Sequence, residues 1–459
     1  MIPLWHSDDI ARATGGTCSV PFAATGVSID TRTLQPGDLF VALVGEHGDG
    51  HAFVADALGR GAAGALVHQA PPGAADTPLV VVGNTLDALN ALGAFARARF
   101  TGRVLAVTGS VGKTTCKEML RAALAATGPV HAAEASYNNH WGVPLTLARM
   151  PPGHAFAVVE IGMNHPGEIA PLARLARPHL ALITAVERAH VGHMGGIEGI
   201  ADEKASIVAG LEPGGTVILP RDSAMFARLR ARVPSGVSAL TFGADVNADA
   251  HLIAVSEDAD GSDIRARIGT HSLSFRINAP GRHMAVNAVG VLTSVFALGA
   301  DPARAAEALA DFAPVAGRGR KRPIKLRHGD ALLLDESYNA SAASVRAALR
   351  VLRLQAATRR IAVLGDMLEL GDEATAEHAG LAPDVEACAD LLFACGPLTR
   401  TLFDAVPAPL RAAHAADSAS LAPLVARSVA AGDAILVKGS LGSRMKVVVS
   451  ALDTIAETG

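Results

Sequence analysis

The chain has 459 residues, a formal net charge of −4 at pH 7, an apolar fraction of 50% and an aromatic fraction of 4%. This length predicts about three domains, each able to bury its own core. The weak acidity and the few aromatic side chains argue against a nucleic-acid-binding surface. No apolar run approaches the roughly 18 residues of a membrane helix, and the N-terminal residues do not resemble a signal peptide. The scattered cysteines lack the spacing of metal ligands, which is typical of reduced thiols in a cytoplasmic protein.

Apolar runs alternate with helical patterns along the chain, which predicts the α/β class. Residues 1–100 are predicted to form a small N-terminal α/β domain that binds substrate, with strands at 38–44, 64–67 and 79–82 and helices at 51–60 and 86–100. The last of these helices ends in Arg97 and Arg99, which we expect to be exposed at the domain boundary.

Residues 101–313 are predicted to form a central domain, a P-loop ATPase-like parallel sheet with an antiparallel meander. Its strands are predicted at 104–107, 156–161, 180–185 and 216–219, its helices at 199–211 and 283–298, and its meander at 251–277. Residues 314–459 are predicted to form a C-terminal Rossmann-like ligase domain, with strands at 331–334, 360–364, 391–395 and 434–438.

The most specific motif lies at the start of the central domain, where residues 108–115 read TGSVGKTT between a buried strand and a helix. Such a turn presents backbone N–H groups and the positive end of the helix dipole to a phosphate. Lys113 can reach the outer phosphates of a nucleoside triphosphate, and the Thr114 hydroxyl can hold Mg²⁺. The spacing between Gly109 and Gly112 is shorter than usual, so a tight turn with a surface lysine is the alternative interpretation.

Three further side chains lie where they could serve a nucleotide site. Glu160 ends a predicted strand beside the phosphate loop, where a carboxylate is well placed to bind the metal of MgATP, although such a glutamate can also be a helix cap. His190 follows the next strand at the corresponding edge of the sheet. Lys204 interrupts an otherwise apolar helix, a position that also suits an exposed lysine.

Five motifs follow in one order: NNHWGVP at 138–144, GMNHPGEI at 162–169, DESYNA at 335–340, GDM with ELG within 365–371, and KGS at 438–440. Over nearly the whole chain this order resembles the Mur ligase family, the ATP-dependent amide-bond ligases of peptidoglycan precursor synthesis. The resemblance is strongest to members that add D-alanyl-D-alanine to UDP-N-acetylmuramoyl-tripeptide. It therefore implies an ATP- and Mg²⁺-dependent ligase that makes the UDP-linked pentapeptide through an acyl phosphate.

The resemblance also implies roles for individual residues around the nucleotide. The implied nucleotide contacts are Gly109, Ser110, Gly112, Lys113, Thr114, Thr115, Asn287, Arg318, Asp335, Tyr338 and Asn339. The implied metal ligands are Thr114, Glu160, His190 and Lys204, and the implied catalytic residues are Lys113, His190 and Lys204. Lys204 falls where the family carries a lysine carbamylated by carbon dioxide. A bare ammonium beside metal ions would be repelled and would favour losing its charge.

The implied substrate contacts are spread over all three domains. They are Ser28, Thr31, Arg32, Gly50 and His51 in the first, Asn138 and Asn139 in the second, and Lys438 in the third. An arginine and small hydroxyl side chains suit the diphosphate of a UDP-linked substrate. Residues 30–32 and 49–50 are equally typical of ordinary turns.

Three other functions remain open from the sequence alone. A Mur ligase that adds a single amino acid would differ mainly in the third domain, and the motifs at 335–340 and 365–371 argue against it. A folylpolyglutamate-type ligase would lack the UDP-binding first domain, and a regulatory nucleotide switch could use the same phosphate loop. We expect a cytoplasmic monomer without nucleic-acid partners or membrane insertion, whose domains close over the nucleotide across a hinge near 313–318.

Overall fold

A computed structural model describes residues 2–45, 48–71, 76–188 and 194–458. Three largely parallel sheets with helices packed on them follow one another along the chain, so the predicted α/β class is confirmed. Each sheet lies inside one of the three predicted sequence ranges. Among the described residues, no helix is both long and apolar enough to cross a membrane.

The first sheet belongs to residues near the N-terminus. The elements here are β1 (Trp5–His6), α1 (Ser7–Thr14), β2 (Thr17–Cys18), β3 (Ala23–Ala24), β4 (Gly26–Ser28), β5 (Asp38–Val41), β6 (Val44–Gly45), β7 (Gly48–Asp49), α2 (Val54–Gly59), β8 (Gly64–Val67), β9 (Leu79–Val81) and α3 (Thr85–Arg99). The strand order is β2-β9-β8-β5-β4, in which only β2 runs antiparallel to its neighbour. The strand predicted to reach residue 44 ends at Val41, because Val44 pairs instead in a short hairpin of β6 and β7.

The central sheet is the largest of the three. Its domain contains β10 (Arg103–Thr108), α4 (Lys113–Ala125), β11 (Val130–Ala132), α5 (Gly142–Ala148), β12 (Phe156–Glu160), α6 (Ile169–Ala176), β13 (Leu180–Ile183), α7 (Ile197–Ala205), β14 (Thr216–Pro220), α8 (Phe226–Ala231), β15 (Ser238–Gly243), β16 (Ala250–Glu257), β17 (Ser262–Ile268), β18 (His271–Ile277), α9 (Arg282–Ala297) and α10 (Pro302–Ala308). The strand order is β11-β12-β10-β13-β14-β15-β16-β17-β18. Strands β11 to β16 pair in parallel and β16 to β18 form the predicted antiparallel meander.

Strand β10 shows why this sheet is covered on both faces. Leu105 and Val107 point to a core with α4 and α9, while Val104 and Ala106 point to a second core with α5, α6 and α7. Because side chains alternate across a strand, a strand with two buried faces is a continuous apolar run, which is the pattern of the sequence before the phosphate loop.

The third sheet has the order β19-β20-β24-β21-β22-β23, in which β19 alone is antiparallel to its neighbour. The elements are β19 (Arg320–Leu326), β20 (Gly329–Glu336), α11 (Ala342–Arg353), β21 (Arg359–Gly365), α12 (Ala374–Ala379), α13 (Ala382–Cys388), β22 (Leu391–Cys395), α14 (Thr399–Ala405), β23 (Arg411–Ala415), α15 (Ser418–Ser428), β24 (Asp433–Lys438) and α16 (Lys446–Thr458). The edge strands β19 and β23 were not predicted. Strand β19 reads RKRPIKL, and charge and proline are typical of an edge that must not pair further.

The junction between the first and second domains is packed, so the expectation that Arg97 is exposed is wrong. Arg97 is 5% exposed, and its Nε donates to Ala176 O at 2.9 Å and its Nη2 to Arg177 O at 2.7 Å. These carbonyls lie at the C-terminal end of α6, where helix carbonyls lack intrahelical partners. Arg99 is half-buried and lies over the Trp5 ring, 4.2 Å from its centroid. The two arginines therefore belong to a packed interface.

Candidate active site around the phosphate loop

The phosphate loop joins β10 to α4 and depends on two glycines. Gly109 has φ +152°, and a Cβ there would lie 1.9 Å from Thr184 Oγ1. Gly112 has φ +84° at the N-cap of α4, and a Cβ there would lie 3.1 Å from the side chain of Asn287. Asn287 therefore stands beside the loop, as the family resemblance implies. The free N–H groups at the start of α4 complete an anion site.

Hydroxyl groups hold the loop in this shape. Thr184 Oγ1 donates to Val111 O at 2.6 Å, which locks the turn to the end of β13. Ser110 Oγ donates to Glu187 O at 2.9 Å and accepts from Glu187 N at 3.0 Å. Both contacts use the segment that follows β13, so the loop is fixed before any ligand binds. Thr115 is buried in the first turn of α4.

The Lys113 ammonium contacts the backbone of the phosphate loop itself. Its Nζ donates to Gly109 O at 2.7 Å and lies 3.4 Å from Ser110 O. Burial lowers the pKa of Lys113 to about 8, the nearby Glu160 carboxylate opposes this, and Arg318 adds to it. An anionic phosphate could replace the two carbonyls as the hydrogen-bond acceptor of Lys113, because a bond between an ammonium and a phosphate is stronger than one between an ammonium and a neutral carbonyl.

A cluster of oxygen ligands lies directly beside the loop. Thr114 Oγ1 donates to Glu160 Oε2 at 2.9 Å, and Asn138 Nδ2 donates to Glu160 Oε1 at 2.7 Å. Ser136 Oγ lies 3.0 Å from Thr114 Oγ1, and Glu160 is 1% exposed. Mg²⁺ prefers hydroxyl and carboxylate oxygens and commonly takes one or two carboxylates together with substrate phosphates and waters. The donor set therefore fits Mg²⁺ held jointly with a nucleotide.

Of the remaining predicted metal ligands, His190 and Lys204, the structure describes only Lys204. His190 falls outside the described residues, and within the described ones no cluster of three or more histidine, cysteine, aspartate or glutamate side chains is present. Lys204 lies on α7 and is 2% exposed. Burial and then the charge of Lys113 lower the pKa of Lys204 well below its ordinary value. The neighbouring Glu203 carboxylate opposes this lowering of the pKa. A side chain of this kind is poised to lose its proton.

The third domain reaches the loop through Arg318. Its Nη2 donates to Ser136 Oγ at 3.1 Å, and its guanidinium lies 4.0 Å from the centroid of the Tyr338 ring. Asp335 fixes the start of the third domain, because its Oδ2 accepts from Gly317 N at 2.9 Å and its Oδ1 accepts from the Ser337 hydroxyl at 2.6 Å. Arg318, Tyr338 and Asp335 thus lie together at the entrance to the nucleotide site, while a nucleotide contact from each stays a prediction.

Lys438 lies at the end of β24 and is 2% exposed. Its Nζ donates to Glu336 Oε2 at 3.2 Å and to Asn339 O at 2.9 Å. Asn339 Oδ1 in turn accepts from Ala340 N at 2.9 Å. These bonds join the DESYNA and KGS motifs. Lys438 and Asn339, which are predicted to contact substrate and nucleotide, thus hold two loops of the third domain together.

The predicted substrate residues of the first domain follow neighbouring parallel strands. Ser28 ends β4 and is fully buried, and its Oγ donates to Asp30 O at 3.0 Å. Gly50 donates its N–H to Leu43 O, just beyond β5, at 2.8 Å. Parallel strands end at one edge of a sheet, where α/β proteins bind ligands. Arg32 is exposed and pairs with Asp30 at 2.6 Å, and Thr31 beside it is half-buried.

His51 is held on both ring nitrogens. Its Nδ1 lies 2.6 Å from Asp49 Oδ1, and its Nε2 lies 2.9 Å from the backbone N of His68. Because the His68 N–H must donate, Nε2 carries no proton, and the proton is assigned to Nδ1. In the second domain, Asn139 Oδ1 accepts from Gly142 N at 2.9 Å and so caps α5, whereas Asn138 contacts Glu160.

The sequence analysis missed three residues of this region: Ser136, Lys117 and Arg188. Ser136 precedes Asn138 by two positions, and Lys117 lies three positions after Thr114 on the same face of α4. Arg188 pairs with Glu373 and, at 3.9 Å, with Glu377 of the third domain. The helical spacing could have indicated Lys117, whereas a contact between domains leaves no local signal.

Comparisons with known proteins cover all three domains. Residues 23–99 match "Mur ligase family, catalytic domain", residues 107–295 match "Mur ligase middle domain", and residues 319–441 match "Mur ligase, glutamate ligase domain". The chain belongs to the Mur ligase family. The resemblance inferred from five motifs is therefore confirmed.

Two curated relatives that match nearly their whole length carry the name UDP-N-acetylmuramoyl-tripeptide–D-alanyl-D-alanine ligase. The protein from Synechocystis is 36% identical over 93% of this chain and 91% of its own length. The protein from Escherichia coli is 35% identical over 93% of both chains. Among solved structures, MurF from Acinetobacter baumannii has a TM-score of 0.85 at 28% identity, covering 99% of this chain and 100% of its own. MurF from Thermotoga maritima in complex with ADP has a TM-score of 0.77 at 25% identity, covering 94% of this chain and 98% of its own.

Proposed function

We propose that this Mur ligase joins D-alanyl-D-alanine to UDP-N-acetylmuramoyl-tripeptide with cleavage of ATP, giving UDP-N-acetylmuramoyl-pentapeptide for peptidoglycan precursor synthesis. The observation that carries the proposal is the extent of the similarity, because relatives named for this reaction match 93% of the chain, including the third domain. The ADP complex of the Thermotoga maritima neighbour supports the use of a nucleotide at the phosphate loop.

The first chemical step activates a carboxylate, which by itself is a poor electrophile. An oxygen of the tripeptide carboxylate attacks the γ-phosphorus of ATP, the bond to the β-phosphate oxygen breaks, and an acyl phosphate and ADP form. Lys113 turns from the Gly109 carbonyl, to which it donates at 2.7 Å, towards the transferring phosphoryl group. A positioned cation of this kind stabilises charge that develops in the transition state.

The second step forms the amide bond. The neutral amine of D-alanyl-D-alanine attacks the acyl carbon, a proton leaves the nitrogen, and the carbon–oxygen bond to phosphate breaks. An acyl phosphate hydrolyses if water reaches it, so the third domain has to cover the site. Arg318 supports such a closure, since it already spans from the hinge to Ser136 at 3.1 Å.

Mg²⁺ would be held by Thr114 and Glu160, with His190 and Lys204 as the further ligands that we propose. When bound, the metal neutralises the repulsion between the substrate carboxylate and the triphosphate. Asn138, which donates to Glu160 at 2.7 Å, fixes the orientation of that carboxylate.

Lys204 is proposed to bind the metal as a carbamate. Its side chain is buried, and its lowered pKa shifts it towards the neutral form that carbon dioxide needs. The nitrogen lone pair attacks the carbon of carbon dioxide, one proton leaves the nitrogen, and the product carries a carboxylate in place of an ammonium. The carbamate would relieve the repulsion between Lys204 and Lys113.

The test is phosphate release measured with a panel of acceptors and amines. UDP-N-acetylmuramoyl-tripeptide with D-alanyl-D-alanine should give rapid release, and omission of either should abolish it. D-alanine, L-lysine and diaminopimelate should react poorly. A site that pairs with the amide and the carboxylate of a dipeptide would have protein groups without a partner when a single amino acid binds, at a cost of about 1–3 kcal/mol for each neutral group. Equal rates with a free diamino acid and a UDP-linked dipeptide would assign the protein to the preceding step. Release without any amine would favour a nucleotide switch.

We further propose that the protein is cytoplasmic, since both ATP and a UDP-linked substrate are cytoplasmic metabolites. We also propose that it is a monomer. Light scattering during size-exclusion chromatography measures the mass directly. A mass of about 47 kDa supports a monomer, and a multiple of the 46.8 kDa chain mass contradicts it.

A further inference from the structure

Lys117 is a buried cation that the proposed chemistry does not use. It lies on α4, one turn after the phosphate loop, and its side chain is fully buried. Its Nζ donates to Ala133 O at 2.5 Å and to Ala135 O at 3.1 Å, and it pairs with Glu118 Oε1 at 2.9 Å. Two carbonyls thus accept hydrogen bonds from the ammonium, and the Glu118 carboxylate balances its charge.

The two carbonyls belong to a segment without regular structure. Residues 133–138 follow β11 and belong to no helix or strand. A buried backbone carbonyl outside regular structure needs a side-chain or solvent partner, and Lys117 supplies it for the buried Ala133. The second bond ties the exposed Ala135 to the same ammonium. Only a long side chain with several donors can reach from α4 to two carbonyls that lie two residues apart.

The same segment continues into the nucleotide site. Ser136 follows Ala135 directly, and its Oγ lies 3.0 Å from Thr114 Oγ1 and accepts from Arg318 Nη2 at 3.1 Å. Two residues later, Asn138 donates to Glu160 at 2.7 Å. Lys117 is thus attached to one end of a short strip whose other end contacts both residues that we propose for Mg²⁺.

We propose that Lys117 is a positioning residue for MgATP: its ammonium holds residues 133–135 against α4 and thereby sets the Ser136 hydroxyl on Thr114. This inference rests on the proposed function, because it assigns Lys117 to the same nucleotide site. Glu118 pairs with Arg121 at 2.8 Å as well as with Lys117. Its carboxylate therefore keeps one cationic partner when Lys117 is replaced.

The experiment compares four variants with the wild type: Lys117→Met, Ser136→Ala, the double variant and Arg121→Met. Calorimetry measures ADP affinity in Mg²⁺ and in EDTA, and phosphate release gives kcat and the KM of each substrate. Arg121→Met is the matched control, because it removes the other partner of Glu118 and leaves the carbonyl bonds intact.

Lys117→Met and Ser136→Ala should each weaken ADP binding in Mg²⁺ and lower kcat by about 10- to 100-fold, as outer-shell substitutions do at metal sites. Affinity in EDTA and the KM of the UDP-linked peptide should stay within about twofold, because the phosphate loop and the first domain are unchanged. The double variant should lose no more ADP affinity and kcat than the more impaired of the two single variants, since both substitutions act through the contact between Ser136 and Thr114. Arg121→Met should match the wild type.

Several outcomes would overturn the assignment. A folded Lys117→Met variant with wild-type affinity for ADP in Mg²⁺ would do so, and so would multiplicative losses in the double variant. If Lys117→Met does not fold, Ser136→Ala decides alone: a loss of affinity in Mg²⁺ but not in EDTA supports the proposal, and no such loss refutes it. Absence of amine-dependent turnover in the wild type would instead refute the proposed function, while the ADP titrations would still test Lys117.

Discussion

Replacement of Lys204 by methionine should make the protein more stable and inactive at the same time. Lys204 is 2% exposed, and the charge of Lys113 acts on its ammonium. Methionine has a similar length and no charge to desolvate, so it fills the same space without that cost. Turnover should be lost, because methionine can neither react with carbon dioxide nor bind Mg²⁺.

The size of the gain depends on pH in a definite direction. Burial lowers the pKa of Lys204 in the folded state, so the unfolded chain binds the proton more tightly. Wild-type stability therefore falls as the pH drops below the unfolded value of about 10.4 and levels off below the folded value. Each unit of pKa depression contributes about 1.4 kcal/mol. If the pKa of Lys204 is lowered by a single unit, the Tm of Lys204→Met should exceed that of the wild type by about 2–4 °C, the shift expected for a domain of roughly 150–250 residues.

The assay is thermal unfolding of both proteins at several pH values, in buffer depleted of carbon dioxide and in bicarbonate. The advantage of Lys204→Met should grow from pH 9.5 towards pH 7 in depleted buffer. Bicarbonate should raise the Tm and the turnover of the wild type only. Lys446→Met replaces an exposed lysine and serves as the control. A variant less stable than the wild type at pH 7, or one that keeps its turnover, would refute the reasoning.

Three further predictions use other parts of the chain. Lys113→Ala should lower phosphate release by about two or more powers of ten, while calorimetry should find the affinity for the UDP-linked peptide unchanged; loss of that affinity in a folded variant would contradict separate sites. Small-angle scattering should show compaction with ATP analogue and UDP-linked peptide together, and Arg188→Ala should weaken it, because the ion pair to Glu373 is lost. Burial lowers the pKa of His131 to about 4, so stability should fall as the pH drops from 6.5 to 4. In urea titrations His131→Gln, which can still donate to Thr146 O, should remove up to about 3 kcal/mol of that loss, and an unchanged pH dependence would argue against it.

The parts of the site that could be predicted are those whose chemistry is local. The phosphate loop is a contiguous segment, and Glu160 ends a strand that pairs directly with β10. Parallel strands bring the residues at their C-terminal ends to one edge of the sheet, so the order of the strands along the chain was sufficient to predict that Glu160 lies beside the phosphate loop. Asn287 could be placed by resemblance only, because it comes from a helix far along the chain.

The features that could not be predicted depend on packing between distant segments. Arg97 reads as a surface residue, yet it satisfies carbonyls at the end of α6 that only the folded chain brings near. Strand β19 carries charges and a proline that argue against a strand, and it forms because β20 offers a free edge. Ser136 is an unremarkable residue in sequence, and its importance arises from the meeting of Thr114 and Arg318.

Three lysines around the phosphate loop show how the same side chain acquires different roles. Lys117 donates to two carbonyls and pairs with Glu118, which suits a residue that holds backbone in place. Lys113 donates to two carbonyls of the loop and has a pKa of about 8, so it can exchange those bonds for phosphate. Lys204 is buried next to the cation of Lys113, which lowers its pKa and so brings the neutral, nucleophilic amine within reach. The surroundings of each ammonium thus assign one lysine to holding the backbone, one to binding phosphate and one to reacting as a nucleophile.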